Sequence, residues 1–185
     1  EKVQFDDGLV WDNSLLDAAV TVPLAGTTYG MSGADAFDLR NTASSTVYGY
    51  NNYYSDSGND TYIFGAGAGQ DAIQDYGTTA GNLDTIKVVG KLPLEVTLSR
   101  VISGSSVTND LMISINGTTD KLTIQNYFTS NAYKIEQVVF DNGTVWDSTV
   151  LDAAVATPLA GTTYGMSGAD AFDLRNTASS TVYGY

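Results

Sequence analysis

Apolar side chains in the first half of the chain fall in short alternating runs, each preceded by a glycine or aspartate, and this pattern predicts strands at 37–39, 46–50, 61–64 and 72–76. Phe37, Tyr62, Ile73 and Ile86 are the residues expected to face a core. From residue 85 the alternation lengthens, with strands predicted at 85–89, 95–100, 110–115, 121–125, 134–140 and 144–146 and loops at 91–94 and 104–108. One buried face per strand suits an antiparallel sheet, and Asn116-Gly117 and Asn142-Gly143 are hairpin signals of the type I′ kind. Tyr127, Phe128 and Trp146 are expected to pack beneath this sheet, with a carbohydrate platform as the alternative. A single helical window spans 147–156, with Asp147 or Ser148 as N-cap, a stripe of Val150, Leu151, Ala154 and Val155, and a stop at Pro158. Its copy at 12–21 follows from what comes next.

Residues 1–50 recur as residues 136–185, with 41 of 50 aligned positions identical and all 28 from Pro23 onward. One period is therefore 23–157, preceded at 1–22 by the end of one copy and followed at 158–185 by the start of another. Within the period, 23–90 reads as a roll of short strands and 91–157 as the antiparallel sheet plus the helix. Nine scattered differences favour natural copies over an engineered duplication. Tandem near-identical units suit proteins that gain reach or multivalency from added copies, and the helix is the expected junction between them.

The chain of 185 residues carries 21 acidic against 8 basic side chains, a net charge of −13. That excludes a nucleic-acid partner, whose affinity would come from Lys and Arg, and points to divalent cations. With neither His nor Cys, thiol and imidazole chemistry is excluded and metal ligands must be oxygens. No segment reads as a signal peptide or membrane insertion.

Eighteen of the acids are Asp, and they cluster with glycine in turns. Gly33-Ala34-Asp35, Gly58-Asn59-Asp60 and Gly69-Gln70-Asp71 are each followed two residues later by an apolar residue, and Asn82-Leu83-Asp84 is a variant. Gly33, Gly58 and Gly69 would let carbonyls approach, and Asp35, Asp60, Asp71 and Asp84 would supply carboxylates, as Ca2+ requires. Asp56, Asn59 and Asp75 are further donors, and Asp170 is the copy of Asp35. The spacing of 25 and 24 residues between Asp35, Asp60 and Asp84 suggests turns stacked on one edge of a right-handed roll, with Asp71 on the other. The alternative is that these side chains merely close turns by hydrogen bonding.

Residues 57–73, which contain two of these turns, resemble the nonapeptide repeats of RTX, or haemolysin-type calcium-binding, proteins. Residues 110–117 and 135–147 are similar to the domain that accompanies such repeats. The resemblance implies an all-β fold, a short calcium-binding parallel β-roll capped by an antiparallel sheet, that forms after export from a bacterium by a type I system. Longer and less regular coils than the family's imply few ions per unit.

These readings lead to a non-catalytic, calcium-stabilised repeat unit of a long secreted or cell-surface protein, an adhesin extender or an extracellular filament subunit, whose partners are neighbouring copies. Two alternatives stand: a calcium-dependent secretion module of an exported hydrolase, and a module binding surface glycans through Tyr48, Tyr50, Tyr53 and Tyr54.

Overall fold

The computed structural model describes residues 2–4, 6, 10–12, 26–40, 44–50, 58–104, 106–154, 161–164 and 180–183. In chain order its elements are β1 (Lys2–Gln4), β2 (Val10–Asp12), β3 (Thr27–Tyr29), β4 (Ala36–Asp38), β5 (Thr46–Tyr48), β6 (Thr61–Gly65), β7 (Gln70–Gln74) and β8 (Thr85–Val89). They continue with β9 (Val96–Ser103), β10 (Ser106–Ile115), β11 (Lys121–Ile124), β12 (Gln137–Phe140), β13 (Val145–Asp147), α1 (Ser148–Ala154), β14 (Gly161–Tyr164) and β15 (Ser180–Tyr183). Among the described residues the protein is all-β with one short α-helix, and no described helix is long and apolar enough to cross a membrane.

From β3 to β8 successive strands alternate between two sheets, as the short apolar runs separated by glycine turns require. One sheet has the order β3-β5-β7-β11-β10-β9 and the other β13-β12-β8-β6-β4. Each pair of consecutive strands is one coil of a roll, and like strands of neighbouring coils pair in parallel. Parallel pairing places equivalent residues side by side, so apolar positions stack into columns. Phe37, Tyr62, Ile86 and Val138 form one, and Val47, Ile73 and Ile124 another. All seven are buried, and the rings of Phe37 and Tyr62 stack at 5.3 Å. The four residues expected at the core, Phe37, Tyr62, Ile73 and Ile86, are all among them.

The second half differs in part from the predicted antiparallel sheet. The β9–β10 hairpin is antiparallel, as are β10–β11 and β12–β13. Yet β11 lies parallel to β7 and β12 parallel to β8, so the roll continues through them after the hairpin. Alternation reports one buried face and is blind to strand direction. Residues 106–108, read as loop, begin β10 and are followed by a bulge between Val107 and Leu111. Arg100 holds this region: its guanidinium donates to the Thr108 carbonyl at 2.6 Å and lies 3.9 Å from the centre of the Phe128 ring.

Both predicted hairpins form, but neither is type I′. Gly117 and Gly143 have positive φ while Asn116 and Asn142 do not, and the Phe140–Thr144 closure leaves three residues in the second turn. The predicted helix forms over Ser148–Ala154, with Asp147 capping it by accepting the Val150 N–H at 2.8 Å; residues 155–156 of its window, and 13–21 of its expected copy, lie outside the described residues. Leu151 is fully buried and Val150 exposed, so only part of the proposed stripe faces inward. Tyr127 is buried, and Phe128 and Trp146 pack against the core.

The duplicated sequence pairs identically in both copies. Val3 opposite Trp11 in β1–β2 corresponds to Val138 opposite Trp146 in β12–β13. Thr27 opposite Thr46 in β3–β5 corresponds to Thr162 opposite Thr181 in β14–β15.

Candidate metal centre

The end of β7 and the starts of β6 and β8 meet at one edge of the roll. There Asp60, immediately before β6, Asp75, immediately after β7, and Asp84, immediately before β8, bring carboxylate oxygens within 4.8 Å of one another. Asp60 and Asp75 are wholly buried and Asp84 nearly so. Parallel register makes this inevitable: Thr61 pairs with Thr85, so the preceding aspartates stand on adjacent rungs.

Backbone hydrogen bonds tie the rungs together. The Asp35 N–H donates to Asp60 Oδ1 at 2.8 Å, the Asp60 N–H to Asp84 Oδ1 at 2.8 Å, and the Asp84 N–H to Glu136 Oε2 at 2.7 Å. Each acid thus accepts the peptide of its counterpart one coil earlier. Burial raises the Glu136 pKa, against hydrogen bonds from the backbone N–H groups of Asp84 and of Glu136 itself that lower it.

Three features close the centre. The Tyr62 hydroxyl donates to Asp75 Oδ2 at 2.6 Å. Burial holds the Tyr62 pKa well above its ordinary value, and the charges of Asp75 and Asp60 push it the same way, so it remains a donor. Gly49 covers the cluster: a Cβ there would lie 2.0 Å from the Tyr62 oxygen and 2.7 Å from an oxygen of each of Asp60 and Asp75. In register, Gly49 and Gly30 of the earlier coils occupy the place of Asp75, which is why only this coil supplies a carboxylate from that side. Asn82 donates to Asp84 Oδ2 at 2.6 Å.

The other residues singled out in the sequence lie around this centre or away from it. Asp35 is one rung above, its Oδ2 accepting the Met31 N–H at 2.7 Å. Asn59 accepts the Leu83 N–H of the next coil. Gly58 packs so tightly that a Cβ would meet the Gly33 carbonyl at 2.0 Å, and Gly33 has a φ of 112°. Asp71 is on the opposite edge, where its Oδ1 accepts the Ser45 N–H at 2.6 Å. Gly69 is also there and donates to Asp120, as does Gly67. Asp56 and Asp170 lie outside the described residues. Hydrogen bonding by these side chains and a carboxylate cluster therefore coexist in the same ladder.

Glu136 and Asp120 have no place in the Gly-x-Asp pattern. Both become legible only from register, since Glu136 precedes the residue paired with Thr85, and Asp120 precedes the one paired with Gln70. Burial raises the Asp120 pKa, but the N–H groups of Gly69 and Gly67 outweigh it and hold the carboxyl below its ordinary value.

Tyrosines of successive coils also contact one another. Tyr29 stacks on Tyr48 at 4.9 Å, and the series continues edge-on to Tyr50 and Tyr76. Tyr53 and Tyr54 lie outside the described residues.

Three carboxylates this close in a buried turn repel one another, and a hard divalent cation removes that repulsion. Comparison with known proteins agrees with the donor set. Residues 110–150 match the haemolysin-type calcium binding protein related domain. Over 90 residues, 47% of this chain, the sequence is 32% identical to the iron-regulated protein FrpA of Neisseria meningitidis serogroup C, of which the matched stretch is 8%. A domain related to haemolysin-type calcium-binding proteins implies Ca2+, and the buried aspartate cluster offers the oxygens to hold it.

Proposed function

We propose that this chain is a non-catalytic, calcium-stabilised unit of a secreted repeat protein, and that it extends an adhesin or builds an extracellular filament. The observation that carries this reading is the buried cluster of Asp60, Asp75 and Asp84 at the junction of three strands. An ion there adds a further tie between two coils that parallel strand pairing already joins. Calcium is abundant outside cells and scarce within, so a site of extracellular affinity stays empty before export and fills after it. At tenfold to hundredfold saturation the ion contributes about 1 to 3 kcal/mol, a large share of a typical domain's stability.

The clustered carboxylates are sealed from solvent beneath Gly49, which supports a structural role. The duplicated sequence and its repeated strand pairings support an array of such units.

Calcium titration by calorimetry, with circular dichroism in calcium and in excess chelator, tests the reading. Saturable binding with a rise in melting temperature is expected. Unchanged melting on chelation would remove it.

A further inference from the structure

We infer that the first coil of the roll is a docking edge for a second copy of this repeat, whose last strands add to β3 and β4 and lengthen the roll end to end. The inference gives the proposed repeat unit its partner and rests on that reading for its setting.

The rim ladder is the first reason. Asp60, Asp84 and Glu136 each accept a backbone N–H from the coil before. Asp35 stands at the head of the same ladder. Its Oδ2 accepts from Met31, and its Oδ1 takes no hydrogen bond among the described residues. It is the one rung of this series with no coil above it among those residues, and the chemistry that fills the lower rungs, a peptide N–H, would fill it.

Strand edges are the second reason. The bonds from Thr46 N–H to the Gly26 carbonyl and from Gly30 N–H to the Tyr48 carbonyl turn Gly26 and Gly30 toward β5. Alternation then points the peptide groups of Thr27 and Tyr29 outward. On the other sheet, Asp35 and Leu39 bond to β6, which leaves those of Ala36 and Asp38 outward. Among the described residues both β3 and β4 end their sheets. Beside them Tyr29 is 47% and Met31 71% exposed. Two adjacent open edges with apolar side chains are a template for added strands.

The opposite end of the roll has matching edges. There β9 ends the sheet that β3 begins, and β13 ends the sheet that β4 begins. Leu94, just before β9, and Val145 on β13 are exposed. Counting direction through the pairings, β9 runs with β3 and β13 runs against β4. A copy moved along the roll axis therefore brings β9 to β3 in parallel and β13 to β4 antiparallel. Such a contact joins unlike surfaces and does not close, so it generates a filament.

The sequence says why the occupant is a second copy. Residues 158–185 repeat 23–50, and β14–β15 reproduce the β3–β5 pairing, so a further docking edge follows α1 along the chain.

Sedimentation velocity and negative-stain electron microscopy of the full 185-residue chain, across a wide concentration range in calcium, test this. An open-ended series of linear oligomers is expected, and Tyr29→Lys with Met31→Lys should leave monomers whose calcium titration is unaltered. The chain lacks cysteine, so Ala36→Cys with Val145→Cys offers a second test that needs no loss of folding. Mild oxidation should give a ladder of cross-linked oligomers that neither single substitution produces. A monomer at every concentration, closed dimers, or association undiminished in the lysine variant would overturn the docking edge. Linear association with no calcium binding would support the edge while removing the calcium reading.

Discussion

The peptide N–H of Asp60 donates to the carboxylate of Asp84 at 2.8 Å, across 24 residues of sequence and one coil of the roll. One oxygen of Asp84 thus serves the backbone ladder, and its other oxygen accepts from Asn82. The cluster is consequently assembled by the same bonds that stack the coils, and changes to it separate into effects on the fold and effects on the ion.

Asp75 separates them most cleanly, because the backbone ladder on this edge runs through other residues. In chelator, Asp75→Asn relieves like-charge repulsion and should be as stable as the parent or slightly more so. In calcium it should forgo the stabilisation of about 1 to 3 kcal/mol that the ion supplies. Paired melts of both proteins in both solutions check this; an equal calcium-induced shift in the two would exclude Asp75 as a ligand.

Gly49→Ala tests the lid. Its methyl group would meet the Tyr62 hydroxyl and two carboxylates, all held by strands that cannot retreat freely. Overpacking of this kind costs about 1 to 3 kcal/mol. Urea denaturation should show that loss together with weaker calcium binding, whereas Gly117→Ala, whose Cβ meets nothing within 4 Å, should lose less and leave calcium binding unchanged despite its φ of 78°.

Asp120 links stability to acid. Its folded pKa lies below the ordinary value of about 4, so it stabilises the fold at higher pH and that contribution disappears as pH falls through the lowered pKa. Asp120→Asn should therefore reduce stability at neutral pH and narrow its gap to the parent in acid. Melting temperatures measured in chelator from neutral pH downward provide the comparison, and a gap that stays constant would contradict it.

A roll that continues through β11 and β12 should unfold as one body. Ile124 pairs with Ile73, and both are wholly buried. Ile124→Ala should cost about 2 to 5 kcal/mol and accelerate hydrogen exchange in β6 and β7 as much as in β10. Separate transitions for the two halves would instead mean independent domains.

Much of this architecture was legible in the residues. Gly-x-Asp followed by an apolar residue specifies a turn entering a strand with one buried face, which located Phe37, Tyr62 and Ile73 in the core and Asp60 and Asp84 on one rim. The internal duplication is likewise a property of the sequence, and equal sequence formed equal pairings at both places. These features are local: they depend on backbone freedom at glycine, on short carboxylates and on side-chain alternation.

Register and direction belong to the tertiary structure. Nothing in the residues around Leu122 or Val138 distinguishes a parallel neighbour from an antiparallel one, because both bury the same face. Only the return of the chain after the β9–β10 hairpin set β11 beside β7 and β12 beside β8. That return also placed Glu136 under Asp84, whereas the stacking of β7 on β5 and of β8 on β6 brought Asp75 beside Asp60. Which carboxylates share a site is decided by through-space distances of a few ångströms between residues far apart in the chain, and those distances exist only once the coils have stacked.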